Sequence, residues 1–161
     1  MTAPCPTCEV SLMVNDEAKT VQAHPMERLL DVLRRNLGLT GAKEGCGEGE
    51  CGSCSLLMDG ALVNSCLIPV LQAQGTRITT VEGLATAQHL SRLQQTILEC
   101  GGTQCGICTP GILMAATHLL SKNPRPTRHE IKVGLAGNLC RCTGYAQICE
   151  AVAQAAGESP Q

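Results

Sequence analysis

Apolar and polar residues are interleaved over Glu9–Val14 and again over Lys19–Ala23, and the polar turn Asn15–Asp16–Glu17 stands between them. That pattern predicts two strands joined as a hairpin. Beyond it, Leu29, Leu30, Leu33 and Leu37 recur with the period of a helix, which Pro25 should open and Gly38 should end. Gly41, Gly45, Gly47, Gly49 and Gly52 then crowd the stretch ending at Cys54. So many glycines exclude a regular element and predict a loop that can turn its backbone N–H groups inward and approach a small inorganic object closely. Ser55–Met58 and Ala61–Asn64 read as a second hairpin across the two-residue turn Asp59–Gly60, and Ile78–Val81 as a last strand.

The period changes in the second half. Leu90–Leu98 has helical spacing and ends at Gly101–Gly102. Pro110 opens another helix, with Ile112, Leu113, Ala116, Leu119 and Leu120 on one side, and Asn123–Pro126 breaks it. Thr127 can cap a third helix, with Glu130 placed to complete a capping box. A fourth is predicted over Tyr145–Ala156, capped near Thr143. The chain therefore reads as α+β in two parts: a sheet domain over 9–83 and an all-α four-helix domain over 84–157, with helix pairs facing each other. Residues 1–8 form a flexible tail in this reading, and 158–161 a C-terminal one.

Composition sharpens the picture. The 161 residues include no Phe, no Trp and one aromatic side chain, Tyr145. Two domains of about 75 residues each are marginal on apolar burial alone, so the 12 cysteines are the natural source of extra stability. Disulfides are the plain explanation. However, no basic and apolar signal segment opens the chain, and Arg34–Arg35 falls inside a predicted helix. A cytoplasmic location is expected, with thiols reduced or bound to metal. No apolar run approaches the roughly 18 residues of a membrane span. A net charge of −2 without a basic block or aromatic ladder argues against nucleic acid as a partner.

The cysteines fall into sets. Cys46, Cys51 and Cys54 lie in the glycine loop as C-x4-C-x2-C, and Cys66 follows beyond the hairpin that can fold it back toward them. This is the plant-type [2Fe–2S] spacing. Soft anionic thiolates suit Fe(III), and four of them complete two bridged irons. Zinc is the rival, although zinc sites of four cysteines usually use two short knuckles. Cys105, Cys108, Cys140 and Cys142 form a second set, both pairs just before predicted helices, where free N–H groups and the helix dipole favour anionic sulfur. On spacing alone, zinc and [2Fe–2S] are both open for this set. Cys5 and Cys8 read as part of the reduced tail, Cys149 as a small buried hydrophobe and Cys100 as structural. His24, His89, His118 and His129 are scattered, and no catalytic motif is present. Ser53 and Ser55, beside the thiolates, are expected to hydrogen-bond sulfur.

Three stretches carry a resemblance: Gly41-Ala-Lys-Glu-Gly-Cys-Gly-Glu-Gly-Glu-Cys-Gly-Ser-Cys54, Thr103-Gln-Cys-Gly-Ile-Cys-Thr-Pro-Gly111 and Gly137-Asn-Leu-Cys-Arg-Cys-Thr-Gly-Tyr145. With the order of elements they cover about residues 9 to 155, and the chain closely resembles the small iron–sulfur subunit of the xanthine dehydrogenase/oxidase family of molybdenum hydroxylases. The resemblance implies a β-grasp, plant-type ferredoxin-like domain followed by the helical [2Fe–2S] domain. It implies an outer cluster on Cys46, Cys51, Cys54 and Cys66, nearer a flavin. The inner cluster would sit on Cys105, Cys108, Cys140 and Cys142, nearer a molybdenum cofactor, with Gln104 contacting the pterin. Partners implied are a large molybdopterin subunit and a medium FAD subunit, in a heterotrimer or a dimer of heterotrimers, with electrons passing from molybdenum through both clusters to FAD. Ile107 stands where relatives often have Phe. A freestanding ferredoxin and a zinc-stabilised interaction module are the alternative classes. The former would leave Thr103–Gly111 without a purpose, and the latter would be colourless.

Overall fold

A computed structural model describes residues 6–86 and 88–157. Cys5 and the 158–161 tail lie outside the described residues. Strands β1 (Cys8–Val14) and β2 (Glu17–Ala23) pair antiparallel from Cys8 opposite Ala23 to Val14 opposite Glu17. The turn is two residues rather than three. Asn15 and Asp16 both take positive φ, at 50° and 67°, the hand that matches strand twist and a conformation in which Asn and Asp are at their least strained. Cys8 is the first residue of β1, not the last of a tail, and its Sγ donates to the Ala23 carbonyl.

Pro25 does not open the helix. The Glu27 amide closes a turn on the His24 carbonyl at 2.8 Å, and Arg28 bridges to Pro69. Helix α1 then spans Leu29–Arg35. The physical reason is competition for backbone groups: Leu29 N–H bonds the Ile68 carbonyl at 2.7 Å and Val70 N–H bonds the Glu27 carbonyl at 2.8 Å. Pairing with this distant segment replaces the extra helical turn that periodicity alone suggests.

Strands β3 (Ser55–Met58) and β4 (Ala61–Asn64) form the second hairpin as predicted, with Asp59 and Gly60 at φ 50° and 79°. Strand β5 (Arg77–Thr79) runs antiparallel to β3 and parallel to β1, so the mixed sheet has the order β2-β1-β5-β3-β4. It is shorter than predicted, because Val81 already begins a 3-10 turn. One face of α1 (Leu29, Val32, Leu33) joins Val10, Leu12, Val14, Leu56 and Ile78 in a core. Its Leu30 points elsewhere, into a small cluster with Ala42, Cys54 and Cys66.

The second half is helical: α2 (Arg92–Glu99), α3 (Thr109–Lys122), α4 (Arg128–Gly134) and α5 (Ala146–Ala155). They enclose a second core of Leu93, Ile97, Ile112, Leu113, Ala116, Ile131, Leu135, Ile148 and Val152. Helices α2 and α5 run antiparallel, since the Arg92 guanidinium reaches the Gln154 and Ala155 carbonyls at the far end of α5, a cation at the negative helix end. Helix α5 begins after Tyr145 at φ 67°, not after a Thr143 side-chain cap; Thr143 Oγ1 instead accepts from the Tyr145 amide at 3.3 Å. Among the described residues no helix is long and apolar enough to cross a membrane.

The capping box at Thr127 is present in full: Glu130 N–H donates to the Thr127 hydroxyl, while the Glu130 carboxylate accepts from the Thr127 amide at 2.7 Å and from its hydroxyl at 2.8 Å. A second box, Ser91 with Gln94, starts α2. Replacing Thr127 by Ala should cost about 1 kcal/mol in unfolding free energy, read by urea denaturation. The Thr127 amide, then its hydroxyl, hold the Glu130 carboxyl below the ordinary glutamate range. A depressed carboxylate stabilises the fold above its unfolded pKa and loses that contribution as pH falls through the folded one. The difference between wild type and Glu130→Gln should therefore shrink on acidification below the normal glutamate pKa, as measured by thermal melts across pH.

Candidate metal centres

The glycine loop is fixed before any metal is considered. Arg34 donates to the Thr40 and Ala42 carbonyls at 2.8 and 2.7 Å. Arg28 forks onto both oxygens of Glu44, and Gly41 N–H donates to Glu82 at 2.7 Å. Within this frame Cys46 and Cys51 meet at the surface. Cys46 N–H donates to Cys51 Sγ at 3.3 Å, and the amides of Glu48 and Cys51 both donate to Cys46 Sγ at 3.4 Å. Those amides, Glu48's first, bring the Cys46 thiol down to about 7, because N–H donors stabilise the thiolate.

Cys54 and Cys66 are buried beneath, against Leu30 and Ala42. Ser65 ties the two segments by donating through both its amide and its hydroxyl to the Cys54 carbonyl. Burial, and then the hydrogen bond and charge of Cys54, push the Cys66 thiol up to about 11. Ser53 lies 3.6 Å from Cys51 Sγ, as expected of a hydroxyl beside sulfur. Ser55 does not: its hydroxyl donates to the Gly52 carbonyl at 2.7 Å and sits 3.1 Å from Asn64 Oδ1. The strand turns that side chain away from the loop's sulfurs.

The second set has the same layout. Cys105 and Cys142 are exposed, their sulfurs 3.7 Å apart, and the contact raises the Cys142 thiol. Cys108, at the start of α3, and Cys140 make the inward pair. Burial, then Cys140, pushes Cys108 up to about 12. Burial opposes ionisation of Cys140 too, yet it is outweighed by the hydroxyl and amide of Thr143, by Cys108 and by the Cys142 amide, so Cys140 falls to about 7. The Thr143 hydroxyl stands 3.1 Å from Cys140 Sγ. Tyr145 Oη accepts from the Cys140 amide at 2.7 Å. Sequence reasoning missed both contacts, although the lone aromatic residue following a C-x-C pair was a visible signal.

Gln104 is exposed beside Cys105. Cys149 is buried among Ile148, Val152 and their neighbours, as a small hydrophobe would be. Cys100 caps α2 and shares with Cys149 a cavity of about 1040 Å³ between α2, α4 and α5. No cysteine among the described residues is in a disulfide.

Among the described residues no three Cys, His, Asp or Glu side chains converge as the ligands of one ion. The sulfurs gather two by two: 46 with 51, 54 with 66, 105 with 142 and 108 with 140. A single zinc requires four sulfurs about 2.3 Å from one centre. Two irons, each with two terminal thiolates, suit paired sulfurs. The charges agree: two thiols this close resist ionising together, and a cation between them removes that cost.

Two segments match known families. Residues 12–71 match a 2Fe-2S iron–sulfur cluster binding domain, and residues 80–153 match the [2Fe-2S] binding domain. The chain is 50% identical over 143 residues to the nicotinate dehydrogenase small FeS subunit of Eubacterium barkeri, covering 89% of this chain and 91% of that one. It is 44% identical over 149 residues to the xanthine dehydrogenase iron–sulfur-binding subunit of Escherichia coli, covering 91% and 92%. Among solved structures, a chain of quinoline 2-oxidoreductase from Pseudomonas putida 86 superposes with a TM-score of 0.89 at 43% identity, over 93% of this chain and 96% of that one. With paired sulfurs in both halves and these likenesses along nearly its whole length, the chain belongs to the 2Fe–2S iron–sulfur subunits of the xanthine dehydrogenase family.

Proposed function

We propose that this chain relays electrons from a large molybdopterin-binding subunit toward a medium FAD-binding subunit of a molybdenum hydroxylase, through two [2Fe–2S] clusters. Its first half would be a β-grasp, plant-type ferredoxin-like domain holding the outer cluster on Cys46, Cys51, Cys54 and Cys66. Its four-helix half would hold the inner cluster on Cys105, Cys108, Cys140 and Cys142, with Gln104 toward the pterin. The observation that carries the reading is the gathering of eight sulfurs into four close pairs, two pairs in each half. A cytoplasmic setting keeps such thiols available to metal.

Each cluster, when bound, takes up and gives back one electron. The protein's part is to hold the sulfurs and set their electrostatics. In the second set the pair 105/142 is exposed, in the first Cys46 is exposed and Cys51 half-buried, and the other pair of each set lies toward the interior, so each cluster would have one side toward a partner and one side packed in protein. Amide donors to Cys46 and the hydroxyl of Thr143 on Cys140 favour the more negative, reduced state. The exposed pair Cys105 and Cys142, next to Gln104, would face the molybdopterin subunit, and exposed Cys46 the flavin subunit.

Anaerobically purified complex should be brown, with about four irons and four labile sulfides per chain; zinc in their place would overturn the reading. Replacing Cys105 or Cys140 by Ser should remove one of two EPR signals and abolish substrate-dependent flavin reduction. Both signals surviving with full turnover would refute the ligand assignment. Thr143→Ala removes a donor from a cluster sulfur, so the inner cluster's midpoint should become more negative. The shift is on the order of 40 mV for each ~1 kcal/mol of lost preference for the reduced state. An EPR-monitored redox titration reads it, with the outer cluster unmoved.

A further inference from the structure

Between the two sulfur sets lies a contact that the ligand assignment does not use. Asn138, two residues before Cys140, is 3% exposed although it is polar. Its Nδ2 donates to the Gly52 carbonyl at 2.9 Å and lies 3.3 Å from Ser55 Oγ. Gly52 separates Cys51 from Ser53 and Cys54 in the glycine loop. Alongside, the Leu139 amide donates to the Cys51 carbonyl at 2.9 Å. A predicted ligand of one site and the neighbour of a predicted ligand of the other are thus joined by one backbone hydrogen bond, which the Asn138 side chain brackets.

The close approach is built in by glycine. A Cβ on Gly52, which has φ 68°, would lie 2.4 Å from the Gly137 carbonyl oxygen and 2.5 Å from Asn138 Nδ2. A Cβ on Gly111, in the first turn of α3, would lie 2.0 Å from the Gly52 carbonyl. Three ligand-bearing segments, 46–54, 105–111 and 137–142, therefore meet at the Gly52 carbonyl, which accepts from the Ser55 amide at 3.1 Å and hydroxyl at 2.7 Å on its own side, while Asn138 is the side chain that reaches it from across the junction. On the Ser55 side the same junction continues to Asn64, whose amide group donates to the Gly49 carbonyl at 2.6 Å.

We infer that Asn138 is a positioning residue for electron exchange between the two clusters: by holding the Gly52 carbonyl it fixes the Cys51–Leu139 hydrogen bond and the separation of the two sulfur sets. The inference rests on the proposed two-cluster function. A buried amide is worth burying here because it sets a distance. An apolar side chain of the same size would fill the space and leave the two loops free to shift.

The test uses the whole complex carrying Asn138→Leu, which keeps the number and branching of side-chain heavy atoms and has no donor. Metal content and the EPR of singly and fully reduced samples are measured, together with rapid-mixing reduction of each cluster after substrate. The expected result is four irons and both signals retained, loss or broadening of the magnetic splitting seen when both clusters are reduced, and slowed reduction of the outer cluster. Asn138→Ser, which keeps a shorter donor, should recover part of both. Wild-type splitting and wild-type outer-cluster kinetics in the Leu variant, with both clusters present, would overturn the inference alone. If the Leu variant loses a cluster, Asn138→Ser decides by the same two readouts: altered splitting and kinetics uphold the inference, and wild-type values overturn it. Wild-type complex without two iron–sulfur signals would instead overturn the functional reading, and this inference with it.

Discussion

Two thiols held within van der Waals contact resist ionising together, and this one constraint organises the molecule. The chain supplies hydrogen-bond donors to Cys46 and Cys140 and buries Cys66 and Cys108. Cys140 near 7 beside Cys108 near 12 is the clearest case. A cation placed between the sulfurs relieves the conflict and lets both stay ionised, so close thiol pairs suit metal. Their grouping by twos makes the natural occupant a two-iron cluster.

The rest of the fold serves that arrangement. Few large side chains are available, and the two cores are built from aliphatic residues of strands, α1 and the four later helices. Around the sulfur sites the chain relies on backbone hydrogen bonds and on charged side chains bound to carbonyls, as with Arg34 on Thr40 and Ala42. Leu30 shows how the two are linked: it leaves the sheet core and covers Cys54 and Cys66. The sheet core and the first sulfur site thus share a helix.

Much of this was legible in the residues. Both hairpins followed from strand-like runs around turn residues, and the four later helices from their period, with the Thr127 cap, because these are short-range properties. The cysteine spacing pointed to the segments 46–66 and 105–142, where the sulfurs gather by twos. The start of α1 was not legible: the backbone of Glu27–Leu29 is claimed by residues 68–70, a partnership no local window contains. Nor was the role of Ser55, which the strand turns toward Gly52 rather than toward sulfur.

What the sequence alone determined is the local chemistry: which thiols are present, which lie in a glycine-rich loop, and which precede a helix. Tertiary structure decided which sulfur faces which, that Thr143 and Tyr145 attend Cys140, and that Asn138 reaches across to Gly52. The Asn138–Gly52 and Cys105–Cys142 contacts join segments far apart in the chain, the first by more than eighty residues. Their geometry comes from packing two cores against each other, which spacing and composition do not encode.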